Sequence, residues 1–457
     1  MSTDHVSVTF CGAVGAATGS NFLLQGNGVK ILVDCGMMQG LPDAHAFNQS
    51  VFPYDVADID YLLVTHAHID HIGRIPKLIK DGFRGEIYST PETREISVVM
   101  FQDMVRILEQ SARAEGTLPL YGEAETTRAL SLWNTISYHT DFNLEGGFSV
   151  YLKDAGHILG SSMIEITNQG KKVVFTGDLG NSPTPLLNNT EWITDADWMV
   201  MESVYGDRNH EPQEERRGKL KQAIIDVTKR KGVLVIPAFS IERTQVLLYE
   251  INNLFEEDGV PAIPVFVDSP LAIRVTGIYK SRQKDFKQSV QEEIKAGGDV
   301  FNFPKLKYTR SSGDSRGILH FPAPKIVIAG SGMSEGGRVV HHEKQYLPDP
   351  NNLVLLVGYQ SIGTLGRHLQ DGDQSVWIMG EEVPVRSEIR RISGYSSHKD
   401  SDHLVEFVEK AAEGGKLKKV FLVMGEPKSS SFLAQRIRDT IGVEAVCPVY
   451  GKEYLLW

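Results

Sequence analysis

The stretch THAHIDHIG, residues 65–73, carries three of the chain's fourteen histidines and an aspartate between positions 66 and 71. Imidazole nitrogen and carboxylate oxygen are donors that suit zinc, with manganese or iron as alternatives, and no cysteine stands nearby to make a sulfur-bound structural site. If the residues before His66 form a strand, His66 and His68 point the same way, and Asp70 and His71 follow at a helix start. Donors gathered so densely are the pattern of a hydrolytic metal centre. His157 in DAGHILGSS and Asp178 in FTGDLG offer to complete the shell. Asp34 in ILVDCG is better suited to orient a ligand than to bind metal itself.

These residues need elements that bring them together. Short apolar, β-branched runs recur and each closes on polar residues: VKILVDCG, IDYLLVTHAH, FSVYLKDAGHILG, KKVVFTGDLG and DWMVMESVYGD. The pattern predicts a strand followed by a functional loop. Between them lie helical patterns, IPKLIKDG and ETREISVVMFQDMVRILEQSARAEG, closed by Gly82 and Gly116. That alternation predicts an α/β architecture. From about residue 209 a charged stretch, RNHEPQEERRGKL, opens a fresh set of α/β units, and from about 392 the strand-and-polar-end style of the first part returns. The expected organisation is therefore a domain of residues 1–208 and 392–457 with a second domain, 209–391, inserted into it.

Composition narrows the class. With 41% hydrophobic and 23% charged residues, and no apolar run long enough to span a bilayer, no membrane segment is expected. MSTDHVSVTFCG reads as a first strand rather than a signal peptide, so the expected location is the cytoplasm. Cys11, Cys35 and Cys447 are odd in number and far apart, unlike a disulfide framework. The net charge of -11 weighs against a surface basic all over, yet leaves room for a local anion-binding cleft.

Taken in order, Asp34, the HxHxDH run, His157 and Asp178 resemble the four motifs of the metallo-β-lactamase superfamily. MESVYGDRNH and SGYSSHKD resemble the later acidic and histidine motifs of its nucleic-acid-processing β-CASP branch, which identifies Glu202 and His398 as their counterparts. PAFSIERTQ, VDSPLA, GSGMSEGGRVVHH and VGYQSIGTLGRHL resemble bacterial and archaeal relatives of the cleavage and polyadenylation endonuclease. The resemblance implies an αββα sandwich with an inserted α/β β-CASP domain, an active site in the cleft, and RNA as substrate, and it is compatible with a homodimer. It implies that His66, His68, His157 and Asp178 hold one zinc, and that Asp70, His71 and the shared Asp178 hold a second. The implied reaction, in RNA processing or decay, is hydrolysis of a phosphodiester by a metal-bound hydroxide. In it His398 protonates the leaving oxygen and Glu202 holds His398.

One departure stands out. In VFLVMGEP, Met424 occupies the place where the family pattern has a histidine, and a thioether is a poor zinc partner beside oxygen and nitrogen donors. The second site is therefore expected to be the weaker, with manganese as an alternative metal. A catalytically weak RNA-binding or assembly subunit is the rival reading. A hydrolase acting on a lactam or thioester is opposed by the second-domain motifs. For substrate, GSGMSEGGR follows the apolar run KIVIA, so Gly332 and Gly336 are candidates to offer backbone N–H groups to a phosphate, with Arg338 adding charge. Arg367 and Arg243 are candidates to track an RNA backbone, or to pair with surface carboxylates.

Overall fold

The structure, a computed structural model, describes residues 5–257 and 259–457. The chain divides into two compact units, one of residues 1–184, 188–209 and 398–457, the other of residues 185–187 and 210–397.

The first unit is built on two sheets. One runs, in spatial order, Glu453–Leu455, Ser7–Phe10, Phe22–Gly26, Val29–Val33, Tyr61–Leu63, Glu86–Ser89 and Trp133–Thr135. The other runs Glu444–Val446, Lys419–Val423, Trp198–Glu202, Lys171–Phe175, Ser162–Asn168, Ser149–Asp154 and Phe142–Asn143. Successive side chains of a strand leave on opposite faces, and the apolar runs exploit both. In Lys171–Phe175, Val173 and Phe175 enter the core between the sheets, where Phe10, Phe22, Val33, Leu63, Val200 and Phe421 meet them. Val174 turns outward to Leu404, Phe407, Leu433 and Ile437 of the helices Ser401–Ala412 and Pro427–Ile441. The result is the αββα sandwich. Its C-terminal segment supplies one strand to the first sheet, Glu453–Leu455 antiparallel to Ser7–Phe10, and two to the second, Lys419–Val423 parallel to Trp198–Glu202 and Glu444–Val446 parallel to Lys419–Val423, so the chain has to return after the second unit.

The second unit holds a parallel sheet, in the order Leu306–Tyr308, Val265–Asp268, Lys325–Ala329, Val233–Pro237, Leu353–Leu356 and Glu388–Arg391. Its four inner strands are near-continuous apolar runs, as a parallel sheet covered on both faces requires. The unit extends to Ser397, beyond residue 391, and takes in Pro185–Leu187, where the Lys287 N–H donates to the Leu186 carbonyl at 3.0 Å.

Helix ends follow local chemistry. Gly116 is the left-handed C-cap of Pro91–Glu115, as the sequence predicts, whereas Ile75–Lys80 is capped by Asp81, with Gly82 one residue beyond. Among the described residues no helix is long and apolar enough to cross a membrane.

Candidate metal centre

Each donor leaves the end of a strand or the turn after it. Tyr61–Leu63 carries the chain to Thr65 and His66, His68 is the N-cap of the short helix Ile69–Ile72, and Asp70 and His71 lie within that helix. The neighbouring strand Val29–Val33 ends at Asp34 and then Gly36, where any Cβ would lie 1.5 Å from the Asp70 carbonyl oxygen, so only glycine admits the HxHxDH turn at this distance. His157 follows Ser149–Asp154, and Asp178 follows Lys171–Phe175.

The folded chain brings four of these donors to one point. His68 Nδ1 lies 3.1 Å from His66 Nε2 and 3.2 Å from His157 Nε2, and Asp178 Oδ2 lies 3.4 Å from both of those Nε2 atoms. Donors bound at about 2.0–2.1 Å to a tetrahedral zinc stand about 3.3 Å apart, so this set fits the ion that the donor types imply. Burial lowers the basicity of His66, and lowers that of His68 and His157 much further, which leaves lone pairs for a metal. Burial opposes ionisation of Asp178, but the rings of His71, His66 and His398 outweigh it and hold the carboxyl well below the usual range.

Asp178 faces both ways. Its Oδ1 lies 3.5 Å from His71 Nε2, which is in turn 4.0 Å from Asp70 Oδ2, so Asp70, His71 and Asp178 form a second, looser group. His71 Nδ1 is bonded to Asp34 Oδ2 at 2.7 Å. Burial disfavours a proton on His71, but the charges of Asp178 and Asp34 override it and raise the ring well above its ordinary value. Asp34 itself is left-handed, with φ of 58°, and is held there by Ser20 Oγ and by the N–H and hydroxyl of Thr65.

On the other side of Asp178 stands a third group. His398 Nδ1 is 3.0 Å from Glu202 Oε2 and 3.9 Å from Asp178 Oδ2, and the second Glu202 oxygen accepts the Leu179 N–H. Burial would depress the His398 ring, but Glu202 and Asp178 outweigh it and raise it to about 9. Glu202 is fully buried, and burial raises its carboxyl.

Comparison with known proteins accords with this geometry. The metallo-beta-lactamase superfamily matches residues 14–238, the Beta-Casp domain 244–369, and the Zn-dependent metallo-hydrolase RNA specificity domain 382–448. Ribonuclease TTHA0252 of Thermus thermophilus is 33% identical over 398 residues, which cover 87% of this chain and 89% of that one. The chain belongs to the metallo-β-lactamase superfamily, in its β-CASP branch. Transcription termination factor FttA of Pyrococcus horikoshii is 30% identical over 463 residues, covering 97% of this chain and 70% of that protein. A solved structure of a protein of unknown function from Enterococcus faecalis V583 shares the fold, with a TM-score of 0.57 at 13% identity, covering 99% of this chain and 100% of that one.

Within the β-CASP domain the substrate candidates are differently engaged from the expectation. Arg338 Nη1 pairs with the fully buried Asp268 at 2.7 Å and also donates to the Thr309 carbonyl at 3.0 Å, so its charge is largely compensated inside the fold. Asp268 accepts from His342, Ser315 and Thr309 as well; burial opposes its ionisation, but these bonds, led by that of His342, hold it well below the usual carboxylate range. Arg367 Nε lies 2.8 and 3.0 Å from the two oxygens of Asp371, the surface pairing that was its alternative reading. Arg243 is buried, with Nη2 3.4 Å from Ser397 Oγ. Gly332 lies against the Phe239 ring, while the position of Gly336 is open.

Met424 is 1% exposed and belongs to the core between the sheets of the metallo-β-lactamase sandwich. Its N–H donates to the Ala13 carbonyl at 2.8 Å, and its φ is 51°. Several residues that shape the centre went unread. Ser161 Oγ accepts the N–H groups of His157 and Ile158 at 3.0 and 3.2 Å, and the hydroxyls of Thr90 and Thr93 both donate to the Gly160 carbonyl, at 2.6 and 2.9 Å. The small hydroxyl pair after HILG was the available signal.

Proposed function

We propose that this chain is a zinc-dependent ribonuclease that hydrolyses RNA phosphodiester bonds in RNA processing or decay. One observation carries the reading: His66 Nε2, His68 Nδ1, His157 Nε2 and Asp178 Oδ2 converge at the mutual spacing of tetrahedral zinc ligands. The RNA-specificity and Beta-Casp matches, and the relative named as a ribonuclease, support RNA as the substrate.

Bound metal supplies Lewis acidity toward water and toward the phosphoryl oxygens on which charge develops. The chain does the rest. His66, His68 and His157 serve as neutral donors, Asp178 as the carboxylate shared between two sites, and Asp70 and His71 as the remaining donors of the second. Asp34 accepts from His71 Nδ1 and so turns Nε2 toward the donor group. Glu202 accepts from His398 Nδ1, which leaves Nε2 of that ring as the atom that passes a proton to the leaving oxygen. With Met424 in the core, the second site has three protein donors against four in the first, which supports weaker second-site binding, and manganese there as an alternative. Gly336 remains a candidate phosphate contact, and Gly332, Arg338 and Arg367 are weaker ones because of the partners they already have. A cytoplasmic homodimer is the expected state.

The test is one RNA labelled at both ends, incubated with metal-replete and chelator-treated protein alongside elemental analysis. Zinc-dependent cleavage is expected, and the product ladder separates internal from terminal attack. Active protein free of transition metal would sink the reading.

A further inference from the structure

Thr65 contacts Asp34 after Val29–Val33, Gly177 after Lys171–Phe175, and Ser162 at the start of Ser162–Asn168. Its hydroxyl lies 2.9 Å from Asp34 Oδ2, 3.1 Å from His66 Nδ1 and 3.3 Å from His71 Nδ1. Its carbonyl accepts both the N–H and the hydroxyl of Ser162, at 2.8 and 3.2 Å, at the start of the strand that follows the His157 loop. Its side chain packs on Gly177, the residue before Asp178. A Cβ at 177 would lie 2.7 Å from Thr65 Cβ and 2.9 Å from Oγ1, with the glycine at φ of 54°.

The hydrogen directions follow from this arrangement. His66 Nε2 faces His68 Nδ1 and Asp178 Oδ2, so it must keep its lone pair for the donor group, and the ring proton belongs on Nδ1. Nδ1–H then donates to Thr65 Oγ1, and the one hydroxyl hydrogen of Thr65 goes to Asp34. Asp34 takes the Nδ1–H of His71 on the same oxygen. One hydroxyl thus links a ring of the four-donor group to the carboxylate that orients a ring of the looser group.

We propose that Thr65 is a positioning residue whose hydroxyl fixes the His66 ring in the Nδ1–H tautomer and ties it to the Asp34–His71 pair, so that a single side chain aims donors of both metal sites. This rests on the metal-dependent reading above. A side chain that only filled space against Gly177 would be replaceable by valine, which has nearly the same shape and no hydroxyl; one that acts through its hydroxyl is replaceable by serine.

The test compares the full chain with Thr65→Val and Thr65→Ser by zinc competition against a chromogenic chelator, with a thermal melt of each metal-free protein as the folding control. Thr65→Val is expected to melt cooperatively but to bind zinc about ten- to a hundredfold more weakly, the usual effect of losing an orienting partner, with Thr65→Ser within about threefold of the parent. Equal zinc affinity for Thr65→Val and the parent, or a Thr65→Ser protein as impaired as Thr65→Val, would overturn the proposal while leaving the metal-dependent reading intact. A parent that takes up no zinc overturns both. Ring-nitrogen NMR of the histidine-labelled parent needs no variant to fold: a proton on His66 Nδ1 supports the assignment, and one on Nε2 overturns it.

Discussion

Glu202 Oε2 lies 3.0 Å from His398 Nδ1 at the edge of the metal centre, although the two residues are 196 positions apart in sequence. The carboxylate is fully buried and its other oxygen takes the Leu179 N–H, so its orientation is set by the backbone and it holds the ring in turn. Glu202→Gln keeps the shape but turns an acceptor into a donor against Nδ1–H on one side or loses the Leu179 bond on the other. Metal content is expected to stay at the parent level and single-turnover RNA cleavage to fall about a hundredfold or more, as for loss of a general acid. Cleavage at the parent rate would show that the pair has no part in proton transfer.

Met424 follows the strand Lys419–Val423, in which Val423 is the register partner of Glu202, so position 424 stands at the strand end nearest that group. Met424→His is expected to raise second-site metal affinity and cleavage rate in calorimetric titrations. In the metal-free protein it should also cost about 1–3 kcal/mol, because an imidazole replaces a buried apolar side chain without a partner. Unchanged second-site affinity would identify Met424 as a packing residue only.

Arg338 and Arg367 of the β-CASP domain should behave differently. Arg338→Ala strips a partner from the buried Asp268 and is expected to destabilise by about 3 kcal/mol in a urea melt. Arg367→Ala removes a surface pair with Asp371 and should stay within about 0.5 kcal/mol. Similar losses for both would refute the distinction.

Glu343 is fully buried, accepts from Ser334, and its Oε2 has no hydrogen-bond partner among the described residues. Burial raises it from an ordinary 4.5 to about 8. A carboxyl raised on folding favours the native state while protonated, so its contribution is complete below the unfolded value and is lost as pH climbs through the folded one. Glu343→Gln is therefore expected to be roughly 2–5 kcal/mol more stable than the parent at pH 9, with little difference at pH 4. A stability difference independent of pH would exclude the mechanism.

The donors were legible in the sequence because their information is local. A β-branched run that ends in a polar residue states both the strand and the place where a side chain emerges, and His66, His68, Asp70, His71, His157 and Asp178 all sit at such ends or in the turns that follow. The two-part sandwich was legible for the same reason, since the strand style that breaks off near residue 209 resumes near the C-terminus. What each polar side chain bonds to was not legible. Asp268, the partner of Arg338, lies 70 positions away, and the place of Met424 in the core depends on partners from both sheets. Thr65 looked like a strand terminus, and only the meeting of the ends of Val29–Val33 and Tyr61–Leu63 gave its hydroxyl two rings and a carboxylate to serve. Residue type and period are written along the chain, whereas the partner of a hydrogen bond, and hence the tautomer and direction of a donor, is decided by segments that meet only when the sheets pack.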